Sequence, residues 1–404
     1  MNIPPLSEQT AMSDDFSLDE LLNRSYYAFK DAENQVGQCN VLVIGKTGVG
    51  KSTLINSVFR QRLAETGVGR PITQGIRQYT KPNCPITVYD TPGLELNAEQ
   101  VKVIQLNVAK LIEDQRLLHP KEHIHVIWYC INHSANRIES VEESWLKEME
   151  VKDVPVLLVL TQTTSKKPGE FFKQLEHMNL PVSQIIPVMA EPEEIDEDYT
   201  VKSHGLDKLV DATFQLLPEV AKKAFVKEQI ANIALKSDMA FKYLSAYVAG
   251  SAIVGATPVP FADAPILMTM QTAMIANITV IFGMPFDKGF ISAMLSAISG
   301  AGGVTAIGRS IVTNLIKMIP GAGTVVGGAI SGATAATLTL ALGLAYIEVL
   351  KAYMKAQVNG EQLSLQQLTK MFVEMYKEYA SSGRKTLKDE QPNQPKPPNQ
   401  INIE

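Results

Sequence analysis

The chain has 404 residues, room for two or three domains of ordinary size. Its 37 Lys and Arg against 42 Asp and Glu leave a net charge of −5, which argues against a nucleic-acid partner, since that calls for a basic face. Three cysteines, Cys39, Cys84 and Cys130, are an odd number without metal-ligand spacing, so free thiols in a reducing compartment are expected.

Residues 1–16 are polar, offer little to bury and are expected to be disordered; they lack the basic start and apolar stretch of a secretory signal. The next segment, 17–218, alternates short β-rich runs with helical patterns, which predicts an α/β domain around a parallel sheet. Its first strand, NVLVIG, ends at Gly45 and runs into GKTGVGKST, Gly45 to Thr53, followed by LINSVF at helical spacing. Gly45, four residues, then Gly50, Lys51 and Ser52 fit the phosphate-loop pattern in the strand-before, helix-after setting that it requires. Backbone N–H groups of such a loop meet an anion at a helix N-terminus, where the helix dipole adds favourable potential. Gly45, Thr47, Gly48, Val49, Gly50, Lys51, Ser52 and Thr53 are therefore the candidate phosphate-binding set. Lys51 is expected to reach the β and γ phosphates, and the Ser52 hydroxyl to ligate magnesium.

The second strand, ITVYD, ends in DTPG, Asp90 to Gly93. A carboxylate at that strand end can hold magnesium through water, and the Gly93 N–H can sense a γ-phosphate. Further strands are expected at HVIWYCI, PVLLVLT and IIPVM, with helices at Ser52–Arg62, Glu99–Leu118, Ser140–Met149, Pro168–His177 and Gly205–Leu217. His119, His123 and His125 lack a completing carboxylate pattern and read as solvated or core histidines. Arg137 reads as a loop arginine, with contact to a nucleotide or a second subunit as its alternative.

Together these residues resemble the P-loop GTPases of the Era-like and immunity-related kind, over about Asn40 to Pro218. The resemblance implies GTP and GDP as ligands, Mg2+ as cofactor and Lys51, Thr73, Asp90 and Gly93 as the catalytic set. Magnesium would be held by Ser52, Thr73 and, through water, Asp90. Thr73 stands where the family carries its switch threonine, although Thr66 and Thr80 lie close enough to fill the role. Leu94 stands where Ras-type relatives carry a water-orienting glutamine, so water must be positioned by something else. Gly48 replaces the asparagine of potassium-activated relatives. The base-reading pattern Asn/Thr-Lys-x-Asp is here Thr161, Gln162, Thr163, Thr164. A threonine hydroxyl cannot reproduce the bidentate carboxylate contact to guanine, which weakens the preference for that base. Thr161, Gln162 and Ala190, the last in IIPVMA, are carried over as base-side residues, and GTP remains the leading nucleotide.

From 219 to 380 the chain reads as a helical, membrane-associated or tightly packed domain, and 381–404, rich in Pro, Asn and Gln, as a disordered tail. Between Ala246 and Ile347 the only charged residues are Asp263, Asp287, Lys288, Arg309 and Lys317. Gly289–Gly308 and Met318–Ile347 are long enough to cross a bilayer, and Gly323, Gly327, Gly328 and Gly332 have the small-xxx-small spacing of close helix contact. Lys222, Lys223, Lys227, Lys351 and Lys355 flank this region and are expected to face anionic headgroups. The bland alternative is a soluble Ala/Gly-rich core. The segment from PEVAKKAFVKEQ to IFGMPFDKG resembles the YcjF-like domain of uncharacterised prokaryotic GTPases, and GEQLSLQQLTKMFVEMYKEY reads as a closing amphipathic helix with Ser364 as N-cap.

The fold expected is thus a P-loop GTPase domain, a mostly parallel sheet with helices on both faces, followed by an all-α, Ala/Gly-rich hydrophobic helical domain. The function expected is slow GTP hydrolysis coupled to a helical domain that acts at a membrane or in assembly. The competing reading is a nucleotide-binding interaction or pore-forming module with negligible hydrolysis. Membrane lipids and a homo-oligomer or dimer through the GTPase domain are the implied partners, no nucleic acid is expected, and the location implied is cytoplasmic, on or in the cytoplasmic face of a membrane.

Overall fold

The computed structural model describes residues 18–60, 63–66, 70–73, 76–93, 98–150, 153–165, 169–196, 199–256, 263–299 and 332–389. By contact the chain divides into two compact units that no single cut in the sequence separates. The nucleotide unit comprises Asp31–Met239 and Val280–Met284; the helical unit comprises Met1–Lys30, Ala240–Thr279 and Pro285–Glu404.

In the nucleotide unit, β1 (Cys39–Gly45), β2 (Arg70–Thr73), β3 (Ile76–Tyr79), β4 (Ile86–Asp90), β5 (Val126–Asn132), β6 (Val156–Thr161) and β7 (Gln184–Pro187) form one sheet in the order β2-β3-β4-β1-β5-β6-β7. Pairings from β4 through β7 are parallel, while β3 pairs antiparallel with both β2 and β4. The central strands are apolar without alternation because both faces are covered. One face buries Leu42, Ile44, Ile127, Tyr129, Leu158 and Leu160 against α4 (Ala98–Arg116), α5 (Ser140–Glu150) and α6 (Glu170–His177), whose Val108, Trp145 and Phe171 join the same core. On the other face Trp128 stacks on Phe59, ring centroids 5.8 Å apart, and donates its indole N–H to Thr213 at 3.1 Å. Thr213 lies on α7 (Leu206–Leu216), and Phe225 of α8 (Glu219–Glu228) meets Phe59 edge-on. The chain order reverses around β1, and the carboxyl ends of β1, β4 and β6 open on one crevice, the place where open α/β sheets bind ligands.

Two antiparallel pieces were not expected from the sequence. The edge strand β2 and its neighbour β3 are four residues each, and a small hairpin, β8 (Glu193–Asp196) with β9 (Tyr199–Val201), follows β7. Short α2 (Lys51–Val58) and α3 (Leu63–Thr66) lie between β1 and β2, and α1 (Leu18–Asn34) precedes the sheet.

Among the described residues the region after α8 is built of helices: α9 (Ile233–Ala256), α10 (Asp263–Ile281), α11 (Lys288–Ser299), α12 (Gly332–Val358) and α13 (Leu365–Asp389). Within the helical unit the small side chains permit close approach, so that Gly343 of α12 lies directly against Leu244 of α9. Its interior holds polar pairs: Thr279 with the Tyr346 hydroxyl at 2.7 Å, and the Asn277 amide donating to Tyr247 at 3.0 Å. Ser364 caps α13 as expected, accepting from the Gln367 N–H while the Gln367 side chain accepts from the Ser364 N–H. Among the described residues one helix, α12, is long and apolar enough to cross a membrane, with mean hydropathy 1.6 over a window that is 67% buried. Gly323, Gly327 and Gly328 lie outside the described residues. Two of the five flanking lysines differ from expectation. Lys223 and Lys227 are buried in the nucleotide unit, Lys227 within 3.5 Å of Glu33, because the first turns of the expected cationic approach form α8 and cover the sheet.

Candidate functional site

The phosphate loop connects β1 to α2. Gly50 is the N-cap of α2 at φ 92°, a left-handed conformation that a side chain would strain, which is why the motif places glycine directly before Lys51. The Lys51 ammonium donates to the carbonyls of Gly45 at 2.8 Å and Lys46 at 3.0 Å, folded back across the loop that would hold its phosphates. Lys46 anchors the loop from outside: its ammonium lies 2.6 Å from Glu139 and 3.8 Å from the buried Glu142, which itself accepts from the Glu139 N–H at 2.9 Å. The Lys46 hydrogen bond holds the Glu139 carboxyl below its ordinary range.

DTPG closes onto the same loop. The Thr91 N–H donates to the Val43 carbonyl at 3.1 Å, fixing the end of β4 beside β1. Gly93 approaches Thr47 so tightly that an added Cβ would collide with the Thr47 backbone nitrogen and hydroxyl. Asp90 is the electrostatic centre. Burial raises its carboxyl to about 6 against the opposing pull of Lys51 and Arg77, and its Oδ1 is buried with no hydrogen-bond partner. An orphaned carboxylate oxygen and a serine hydroxyl on the wall of one cavity suit a hydrated divalent cation, so Ser52 and Asp90 fit the magnesium that the motif implies.

A cavity of about 800 Å³ gathers Thr47, Gly48, Gly50, Lys51, Ser52, Thr53, Asp90, Gly93 and Gln162 from the expected set, together with Thr91 and Pro92 of the DTPG motif and the unforeseen Ile76 and Arg77. Gly45 and the buried Val49 shape the loop from behind. Thr73 ends β2, and Leu94 lies outside the described residues.

On the base side, Thr161 is buried and donates its hydroxyl to the Ile131 carbonyl at 3.2 Å, whereas Gln162, at φ 54°, reaches the loop and donates to the Gly48 carbonyl at 3.1 Å. Asn132 at the end of β5 steadies it, donating to Gln162 Oε1 at 2.8 Å. The Thr163 N–H donates to the Val188 carbonyl at 3.1 Å, and His204 Nε2 donates to the Thr163 carbonyl at 2.9 Å while its backbone bridges Met189. These bonds tie the Thr161–Thr164 segment to Val188 and, through His204, to Met189, directly before Ala190. Thr164 is exposed. Lys46, Arg77, Asn132 and His204 were missed; only Lys46 carried a sequence signal, a charge inside the loop motif.

Residues 40–162 match the family model of the 50S ribosome-binding GTPases. The chain carries a P-loop GTPase domain. After it, residues 233–378 match a domain of unknown function, DUF697. The chain is similar to part of translocase of chloroplast 108 of Physcomitrium patens, 45% identical over 58 residues, which are 14% of this chain and 6% of that protein. It is also similar to the chloroplastic GTPase ERA1 of Zea mays, 29% identical over 188 residues, 44% of this chain and 40% of that protein. A solved structure of Toc33 from Arabidopsis thaliana, in complex with GDP and Mg2+, aligns at 20% identity and a TM-score of 0.28, over 48% of this chain and 90% of that one. The chain thus spans well under half the length of the curated relatives named.

Proposed function

We propose that the chain binds GTP in the cleft, hydrolyses it slowly to GDP and phosphate, and passes the change of state to its helical region, which acts at a membrane or in assembly. The observation that carries this reading is the convergence of Lys51, Ser52, Asp90 and Gly93 on one cavity in which the buried Asp90 oxygen lacks a partner. On binding, Lys51 exchanges two loop carbonyls for phosphate oxygens, and the loop N–H groups and the α2 dipole hold the anion. Ser52, Thr73 and, through water, Asp90 would hold magnesium, which neutralises charge on the β and γ phosphates. Gly93 senses the γ-phosphate through its N–H, and loss of that contact on hydrolysis frees the DTPG turn.

Inside the nucleotide unit, Arg60 lies just past the helix that carries the loop. It donates to the carbonyls of Phe282 at 2.9 Å and Gly283, at the end of α10, while its own N–H donates to the Glu228 carbonyl at 3.1 Å. The membrane side of the reading rests on α12 and on the scarcity of charge around it.

The test is calorimetric titration of GTP and ATP into the parent and Lys51→Ala, alongside phosphate release. Lys51→Ala should abolish triphosphate binding; unchanged affinity sinks the phosphate-loop reading, and tight binding without phosphate release favours a non-hydrolysing module. Co-sedimentation of the full chain with neutral and anionic liposomes in each nucleotide state tests the membrane. A chain that stays in the supernatant throughout leaves assembly, read by sedimentation velocity, as the output.

A further inference from the structure

The reaction at this cleft needs positive charge where the transferring phosphoryl group develops its own, and a glutamine that orients water is absent from the motif, with Leu94 in its place. Lys51 is committed to the β and γ phosphates by the loop. Arg77 is a second cation on the cavity wall. It lies on β3, an edge-side strand that no motif covers, and is paired directly opposite Asp90 of β4 in the antiparallel ladder. Residues directly opposite one another in such a ladder project from the same face. The neighbouring pair bears this out, since the Gln78 amide reaches the Tyr89 hydroxyl at 3.5 Å. Arg77 therefore stands on the Asp90 side of the sheet and lines the same cavity as Lys51, Ser52 and Gly93.

A structural ion pair is the plain alternative for an arginine facing an aspartate. It does not describe this one. Asp90 Oδ1 takes no hydrogen bond, from Arg77 or from any other group. The Arg77 side chain is exposed to the cavity, and its charge acts on Asp90 only from a distance, as one of two cations that oppose the effect of burial. A guanidinium so placed is held close to the phosphate site by its strand and is not used up by a carboxylate.

We propose that Arg77 is a catalytic residue, an arginine supplied in cis that contacts the γ-phosphoryl group as it transfers. This rests on the hydrolytic reading of the site given above. In the step, the oxygen of a water molecule forms a bond to the γ-phosphorus as the bond from that phosphorus to the β–γ bridging oxygen breaks. GDP leaves with the electron pair on that oxygen, and the water proton passes to the phosphate oxygens, giving inorganic phosphate. The planar fork of Arg77 bonds the equatorial or bridging oxygens as charge gathers there, a geometry that a lysine point charge meets only in part.

The test uses the full chain with Arg77→Ala and Arg77→Lys, both at an exposed position where the thermal midpoint should stay that of the parent. Three readouts are needed: single-turnover phosphate release, affinity for fluorescent GDP and GTP analogues, and retention of GDP on adding aluminium fluoride with magnesium. For Arg77→Ala the expected result is a fall of at least tenfold in the rate constant, nucleotide affinities within threefold of the parent, and loss of the aluminium fluoride effect. Arg77→Lys should recover part of the rate. Arg77→Ala releasing phosphate within twofold of the parent overturns the proposal while the hydrolytic reading stands. Loss of ground-state affinity equal to the loss of rate also overturns it, because Arg77 would then serve binding alone. A parent that binds GTP and releases no phosphate removes both readings.

Discussion

The nucleotide unit and the helical unit bury themselves by different means. In the first, branched and aromatic side chains cover both faces of a sheet whose ladder satisfies the backbone, and charge gathers at strand ends around one cleft. In the second, helices apolar on nearly every side meet through Ala, Gly and Thr, with polar pairs such as Thr279 and Tyr346 enclosed between them. A sheet-based site exposes its chemistry as motifs because backbone geometry dictates residue types at fixed offsets. A small-residue helical core exposes only a texture, since many sequences satisfy close packing.

The largest expected effect lies inside the nucleotide unit, at Lys236. Its ammonium is wholly buried and donates to the carbonyls of Val226 at 2.5 Å, Lys227 at 2.8 Å and Ile281 at 3.2 Å, joining the ends of α8 and α10. Burial pushes its pKa well down. Lys236→Met leaves these carbonyls without that donor, and about 3 kcal/mol of unfolding free energy should be lost in a denaturant titration. A loss below 1 kcal/mol would mean that water or a shifted helix end replaces the ammonium.

Gly93→Ala tests the cleft itself. The added methyl cannot coexist with Thr47 where the DTPG turn lies, so phosphate release should fall at least tenfold while GDP affinity is kept. Unchanged turnover would show that the turn works away from the loop. Next in size is Thr164→Asp, which supplies a carboxylate at the position of the base-reading acid in the Asn/Thr-Lys-x-Asp pattern. GTP should gain roughly three- to tenfold over ATP in competition, less than the full worth of one charge-assisted contact because the position is exposed to water. A variant that loses GTP affinity would mean that guanine is read elsewhere.

The smallest effect is a pH dependence confined to the nucleotide unit. His125 is buried, its Nδ1 accepting from the Asn40 N–H at 3.0 Å and its Nε2 donating to the Pro120 carbonyl at 3.0 Å. Burial lowers its pKa, so the folded state keeps it neutral. The stability tied to it is then fully present above the ordinary histidine pKa and is lost as pH falls below that value toward the folded one. The thermal midpoint should decline shallowly between pH 7 and pH 5, and His125→Asn should lose that slope while starting from a lower midpoint. A parent whose midpoint is flat over this range would contradict the assignment.

How much could be read in advance follows the same division. NVLVIG, ITVYD and PVLLVLT became β1, β4 and β6 within a residue or so, because strands buried on both faces are apolar throughout. The strands β2 and β3 escaped, being four residues long, mixed in polarity and placed at or next to an edge. Arg77 escaped with them, since its meeting with Asp90 depends on the ladder register and not on any spacing along the chain. The residues 219–228 were read as an approach to the helices from their lysines, yet Phe225 and Ala221 made them a cover for the sheet. In the helical region the scarcity of charge from Ala246 onward was visible, but the packing partners of α9 and α10 were not, because small residues at helical spacing fit many packings alike.

The chain path through the two units bears on how such a protein could be divided or recombined. Val280–Met284 belong with the sheet although some forty residues of the other unit, Ala240–Thr279, come before them. A gene cut after Leu217 would strip Phe225 from Phe59 and leave Arg60 without the carbonyls of Phe282 and Gly283. The GTPase domain here is therefore not an interchangeable cassette: duplication or fusion would have to carry both parts together, and the two would be inherited as one piece.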